Sequence, residues 1–343
     1  MSLLSCIVVR MKNNQVRQIV LAALQRSEVP FSTPELLNVI DHAVTDRTLR
    51  RWLVGWVDEG IVERTGKKRG VRYLWVNRNP VTQFQFLHAV PEYRRASMMS
   101  QIRDLWTHSS TSIEGNTLTL GETFDVLELG LTISGKPLRE HQEVIGHARA
   151  IDQLYALVIS RQAVVREHLF ELYRSVHAER VADIYKPAGV WKLEPNGCNA
   201  ISAEDKPVYI QYAHPAHVDR LMAEYLQTLN RIMAAGVDAE EAVECYAKLH
   251  IGFAHIHPFW DGNGRLARLI SNVPLLRSGL PPLVIDEALR GEYIKSLAAY
   301  QIETGVLTPE RGVWPAVAPY ERFLELCQSC YQQTIELIEQ VQS

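Results

Sequence analysis

The sequence predicts a mainly α chain: a helical domain with a small β-hairpin, preceded by a smaller α+β domain. Three observations predict it. Apolar residues recur at helical spacing through most of the 343 residues. Alternating runs flanked by turn residues occur in only two stretches, at 61–75 and 190–212. Charge is also uneven: residues 1–79 carry 13 Lys/Arg against 7 Asp/Glu, whereas the rest carries 23 against 32. A basic N-terminal segment on an acidic body points to a polyanion or docking function at one end. We divide the chain into domains at 1–79 and 80–330, with a helical tail at 331–343.

In the first domain, Val16, Ile19, Val20, Ala23 and Leu24 share a helical face. Ser32 or Thr33 before Pro34 and Glu35 starts a second helix. Thr45 or Asp46 starts a third, with Leu49, Trp52, Leu53 and Trp56 inward and Gly60 at its end. Ile61 to Trp75 reads as a hairpin turning at Gly66–Gly70, and residues 77–80 as a linker. Three helices and a two-stranded wing resemble a winged helix-turn-helix. Arg47, Arg50 and Arg51 on the third helix and Lys67, Lys68 and Arg69 at the wing tip would meet a nucleic-acid groove and its phosphates. The competing reading is a protein-docking face.

Composition excludes several classes. At 47% hydrophobic and 22% charged the chain is globular. No run approaches the ~20 apolar residues of a membrane span. Residues 3–9 lack the flanks of a signal peptide, and Met11 is an alternative start. Five scattered cysteines indicate a reduced, cytoplasmic protein. Cys327 and Cys330 form one CxxC in a helical tail and read as packing residues; the tail's Ile335, Leu337, Ile338 and Val341 would pack back or make a homodimer.

In the large domain, helices are expected around 98–106, 124–129, 141–157 and 166–180. A hairpin around Ala200-Ile201-Ser202 and Val208-Tyr209-Ile210 reads as a flap over a site. Tyr246, Leu249, Phe253 and Ile256 define a buried helix ended by His257-Pro258, since proline disfavours the α conformation in the preceding residue. Gly262-Asn263-Gly264 lets successive N–H groups converge as an anion nest at the start of a helix bearing Arg265 and Arg268 on one face. Asp261 beside that nest makes sense if Mg²⁺ bridges it to phosphate. No Walker lysine pattern is present. The spacing of His250, His255, His257 and Asp261 is poor for a transition metal.

His257 to Arg268, reading HPFWDGNGRLAR, resembles the complete Fic-domain signature, and the likeness extends over residues 95–325. It implies transfer of AMP from ATP to a hydroxyl of a target protein or of the chain itself. The same resemblance implies His257 as general base with an ordinary pKa, Asp261 on Mg²⁺, Gly262, Asn263 and Gly264 cradling phosphates, Arg265 on the β-phosphate and Arg268 on the γ-phosphate. Tyr293 would lie beside adenine, and Ala200, Ile201 and Ser202 would pair with an extended target segment. Ser110 to Asn116 is similar to the family's N-terminal inhibitory motif, so Glu114 would make a potentially bidentate pair with Arg268 and displace the γ-phosphate. Lys192 departs from the family's usual arginine. Two alternatives remain: Glu114 positions water for AMP removal, or the chain is a DNA-binding regulator whose Fic part senses nucleotide.

Overall fold

The computed structural model describes residues 13–27, 29–58, 62–67, 70–75, 84–177, 189–202, 206–316 and 320–342. The wing-tip residues Lys68 and Arg69, the 77–80 linker and the start of the chain lie outside them. Two compact units divide the chain, residues 1–83 and 84–343.

The first unit contains α1 (Asn13–Arg26), α2 (Thr33–Val39), α3 (Asp46–Asp58), β1 (Val62–Thr65) and β2 (Arg72–Trp75). Ser32 caps α2 through a reciprocal box with Glu35, which satisfies two otherwise unpaired backbone donors. Thr45 Oγ1 accepts from Thr48 N at 3.2 Å ahead of α3. The strands pair antiparallel from Val62↔Trp75 to Thr65↔Arg72. Val20, Leu24, Leu36, Leu49, Leu53, Trp56 and Tyr73 form the core. Ile19, expected inside, is 37% exposed, because the buried stripe of α1 is Val16, Val20 and Leu24.

The second unit is helical. In order come α4 (Glu92–Ile113), α5 (Leu120–Glu128), α6 (Leu138–Ser160), α7 (Arg166–Val176), then β3 (Gly197–Ile201) and β4 (Pro207–Gln211). They are followed by α8 (Pro215–Ala235), α9 (Ala242–Ile256), α10 (Asn263–Ile270), α11 (Val273–Arg277), α12 (Arg290–Thr304) and α13 (Tyr320–Gln342). Helix α7 stops at Val176 rather than continuing towards 180. β3 and β4 form an isolated antiparallel hairpin, Gly197↔Gln211 to Ile201↔Pro207.

Helix α9 is the axis of this unit. Its residues are buried almost all round, from Tyr246 through Ile256, as expected of a helix covered on every side. Helices α8, α10 and α13 pack against it. Helix α13 runs through position 331 without a break. Phe323, Cys327, Cys330 and Tyr331 are buried in the core around α9, and Ile335 packs against it. The CxxC cysteines are thus packing residues. Among the described residues no helix is long and apolar enough to cross a membrane.

Candidate active site

The site starts where α9 ends. Pro258 denies His257 the right-handed helical conformation, and the residue turns left-handed instead, with φ 52° and ψ 60°. That conformation is uncommon in a residue with a side chain and points to a site that over-determines its backbone. Phe259 then buries its ring against Tyr173, with centroids 4.2 Å apart and nearly parallel planes. The Asn263 amide closes the turn by accepting from Phe259 N and donating to Phe259 O, both at 2.9 Å. Gly262 takes φ 71°, and α10 begins at the next residue. The motif therefore folds as helix, corner, turn and helix, with the Asn263 side chain tying the turn and the N–H groups of the first turn of α10 without an intrahelical acceptor, as an anion site needs.

His257 is half-buried. Its ring stacks on Tyr212, centroids 3.7 Å apart and planes 3° from parallel. Nδ1 lies 3.1 Å from Ala254 O. A carbonyl only accepts, so Nδ1 carries the proton and Nε2 keeps its lone pair. The ordinary pKa expected for His257 is not found. Burial, with the nearby Lys192 ammonium, pushes it down to about 3, although the Ala254 carbonyl and Asp261 pull the other way. The imidazole is neutral, as a base must be, because protonation is disfavoured in a dry site. Burial likewise pushes Lys192 down to about 7.

Across the site, Arg268 is 1% exposed. Its Nε donates to Ser110 Oγ at 2.9 Å, and Nη2 donates to Ser110 O at 2.9 Å and to Glu114 Oε1 at 2.6 Å. Nη1 donates to Tyr293 OH at 3.0 Å. The pair with Glu114 runs through one nitrogen, so the bidentate geometry expected from sequence is corrected. Ser110 occupies the remaining edge of the guanidinium. Burial alone would depress Arg268, but Tyr293 and Glu114 outweigh it and hold its pKa above the ordinary value. The Glu114 side chain is 41% exposed, so the pair has a wet partner and a dry one. Gly264 permits the approach: a Cβ there would meet Glu114 Oε1 at 2.5 Å. Arg265 is buried, which lowers its pKa.

Between these two walls lies a cavity of about 230 Å³. Glu114, Ala200, Tyr212, His257, Gly264 and Tyr293 line it, so residues far apart in sequence meet there. A larger cavity of about 710 Å³ beside Arg161 and Arg277 lacks any of these groups. The structure separates the predicted flap residues. Ala200 and Ile201 end β3, while Ser202 lies beyond the strand, its N–H donating to Lys206 O at 2.8 Å across the hairpin turn.

Tyr293 is tied in by its hydroxyl. Having accepted from Arg268, it donates to His250 Nε2 at 3.0 Å, and His250 Nδ1 in turn faces Tyr246 OH at 3.3 Å. His250 is thus a buried neutral imidazole behind Arg268, its pKa pushed down by burial and by that arginine. His255 is edge-on to Tyr300. Sequence reasoning missed His250 in this role, and also Tyr212, Asn196 and Arg290. Arg290 Nε donates to Ile113 O at 2.6 Å at the end of α4. For His250 a signal existed: a polar residue on the buried stripe of an amphipathic helix needs a buried partner.

Asp261 Oδ1 accepts from Gly262 N at 2.7 Å beside the nest. One carboxylate next to an anion site suits Mg²⁺ shared with substrate phosphates and does not suit an all-protein metal cage. Among the described residues no group of three His, Cys, Asp or Glu side chains converges on a metal position.

In this helical domain a neutral histidine, Gly264 of the helix-start turn and the carboxylate that pairs with a buried arginine meet at one cavity, the parts that a phosphate-binding site needs. Residues 166–275 match the Fic/DOC family model. The curated protein adenylyltransferase fic-1 of Caenorhabditis briggsae is 30% identical over 215 residues, covering 62% of this chain and 39% of that protein. The Drosophila virilis protein adenylyltransferase Fic is 30% identical over 204 residues, 58% of this chain and 38% of its own. The chain thus spans about two fifths of the length of these relatives. Among solved structures, a Fic-domain signalling protein from Bacteroides thetaiotaomicron matches with TM-score 0.64 and 25% identity over 76% of this chain and 95% of its own. Fic-1 of C. elegans shares the fold, with TM-score 0.57 and 24% identity over 95% of this chain and 82% of that one.

Proposed function

We propose that this chain transfers AMP from ATP to a hydroxyl of a target protein or of itself, and that Glu114 holds it off. The observation that carries the reading is the direct Glu114–Arg268 contact at the edge of a cavity that also contains the neutral His257. In the transfer, the target hydroxyl oxygen attacks the α-phosphorus. The bond from that phosphorus to the bridging oxygen of pyrophosphate breaks, and the hydroxyl proton passes to His257 Nε2. The nest from Gly262 to Gly264 and the start of α10 hold the phosphates, with Arg265 on the β-phosphate and Arg268 on the γ-phosphate. Mg²⁺, when bound by Asp261, would offset the phosphate charge.

With Glu114 in place, a negative charge stands where the γ-phosphate is to be bound, and both N–H groups of Arg268 Nη2 are committed, to Ser110 O and to Glu114. Removing Glu114 leaves Arg268 its bonds to Ser110 and Tyr293, so the domain keeps its fold. Intact-mass analysis of Glu114→Gly incubated with ATP and Mg²⁺ is expected to show added AMP, and His257→Ala in the same background to show none. Equal AMP incorporation with and without Glu114 would overturn the brake. Loss of AMP from a premodified protein on incubation with the wild-type chain would favour the de-AMPylating alternative.

For the first unit we propose a winged helix that binds nucleic acid, through Arg47, Arg50 and Arg51 on α3 and Lys67, Lys68 and Arg69 at the wing tip. Supporting it, the three arginines are exposed on the face of α3 opposite Leu49, Leu53 and Trp56. Against it, Arg50 already pairs with Asp46 at 2.8 Å, a contact that a phosphate would have to replace. Gel shift with random duplex DNA at low salt, where phosphate contacts are strongest, tests it. No shift there would leave protein docking as the role of this face.

A further inference from the structure

The corner that presents His257 is strapped to the base of the hairpin from outside the signature. Lys192 N donates to Pro258 O at 2.8 Å. Its Nζ donates to Ile256 O at 3.4 Å and to Asn196 Oδ1 at 2.6 Å. Asn196 Nδ2 donates to Phe259 O at 3.1 Å. The carbonyls on both sides of His257, at Ile256, Pro258 and Phe259, are therefore all held by two residues of the segment leading into β3. The same segment holds the ring that orders the base: Tyr212 N donates to Asn196 O at 3.1 Å, and Lys192 Nζ sits 5.8 Å from the Tyr212 ring that stacks on His257. Tyr212 OH donates to Cys198 Sγ at 3.0 Å, which anchors the far end of that ring to β3.

Nothing about α9 by itself keeps a histidine in the left-handed region. Such a conformation persists only when its surroundings over-determine it, and the carbonyls it turns outward need donors. Lys192 is 5% exposed, and its ammonium donates to two neutral oxygens, Ile256 O and Asn196 Oδ1. A buried ammonium spent on neutral oxygens is costly unless it does something that an apolar residue cannot. Here it supplies donors on a flexible stem, which reach one carbonyl of the corner, Ile256 O, and its own partner Asn196 together.

We propose that Lys192 and Asn196 are positioning residues that lock the base of the hairpin to the His257 corner, so that ordering of the hairpin by a bound extended peptide also fixes Nε2 against the attacking hydroxyl. This rests on the transferase reading above. Neither residue lines the cavity; both act through His257.

The test is a pair of variants, Lys192→Met and Asn196→Ala, with their double, each made in the Glu114→Gly background. Lys192→Met keeps the aliphatic stem and removes only the donors. The expected result is a roughly tenfold fall in kcat with KM for ATP within about twofold, and a double variant no slower than the worse single, because both cut one strap. Multiplying losses, or a raised KM for ATP with unchanged kcat, would overturn the proposal. A second arm needs no activity. Amide hydrogen exchange in the otherwise unmodified full chain should speed up several-fold at 256–259 and at 197–202 and 206–211 together in Lys192→Met, with the helices of the first unit unchanged. Faster exchange at the corner alone, or at neither, would overturn the lock. If Glu114→Gly itself transfers no AMP, the transferase reading fails while the exchange arm still decides whether the strap exists.

Discussion

The two walls of the cavity are held in opposite ways. On the brake wall, a buried cation makes one contact with a half-exposed carboxylate from a different helix, 154 residues away in sequence. On the base wall, a neutral ring is fixed by stacking and by straps to its own backbone. A charge pair with one wet end can be exchanged for another anion, because water can take over the half-exposed carboxylate as it leaves while the incoming anion takes over the buried cation. A ring clamped through carbonyls has no competing partner. The difference teaches that, on the proposed function, regulation would sit where a contact can be replaced and chemistry where it cannot.

The sharpest way to break this comparison is to remove the fixed part. His257→Ala in the Glu114→Gly background should cost about 10²–10⁴-fold in AMP transfer, the ordinary range for loss of a general base. Thermal midpoint should change little, since the straps to the carbonyls around position 257 do not depend on the ring. Radiolabelled ATP incorporation measures the first, calorimetry the second. A residual rate within a few-fold of the parent would mean that His257 does not take the proton.

Next comes the exchangeable part. One charge-assisted hydrogen bond is worth about 1.5–3 kcal/mol, a factor of roughly 10–100 in the balance between brake and γ-phosphate. Glu114→Gly should raise transfer by that much, and Glu114→Gln by less, because a neutral amide can still accept from Arg268 Nη2. Equal activation by both would show that charge is not what excludes the phosphate.

The walls also differ in how they were legible in the sequence. His257 to Arg268 form one contiguous run whose residue types state their chemistry: a proline that forbids αR, a nest, a helix start. Helix α9 and the hairpin followed from periodicity alone. Glu114 was legible only through resemblance, because nothing in a helix end at 114 says that Arg268 lies opposite. The strap was not legible at all. Its acceptors are main-chain carbonyls, which every sequence has, and Lys192 stood out only as a departure from the family's usual arginine. Tyr293 was placed beside adenine, but its hydroxyl serves Arg268 and His250, a use set by tertiary packing.

A pH titration separates the walls by a different route. In the unfolded chain each imidazole protonates near ~6.5. Folded, His250 and His257 are held well below that by burial, and His255 is pushed down to about 4. The sign follows: below pH ~6.5 the unfolded state binds more protons, so stability is fully present above that value and is lost as pH falls, up to about 1.4 kcal/mol per pH unit for each histidine. For His255 the loss continues to about pH 4. The thermal midpoint of the second unit should therefore drop between pH 7.5 and 5.5, whereas the arginine of the brake does not titrate there. A flat midpoint would mean that these rings are not buried neutral.

The smallest effect belongs to Ser110, and it decides how the brake is built. Ser110 gives Arg268 two of its acceptors, the hydroxyl and the backbone carbonyl. Ser110→Ala removes only the hydroxyl, at about 1 kcal/mol. If α4 and Glu114 release Arg268 as one body, that loss weakens the whole inhibitory contact, and AMP transfer should rise about fivefold without altering KM for the target. If Glu114 alone swings away and α4 stays, Ser110 remains an aid to Arg268 in the active state, and the same substitution should lower transfer in the Glu114→Gly background. The two outcomes have opposite sign. Measuring Ser110→Ala in both backgrounds therefore tells whether the exchangeable wall moves as a side chain or as a helix.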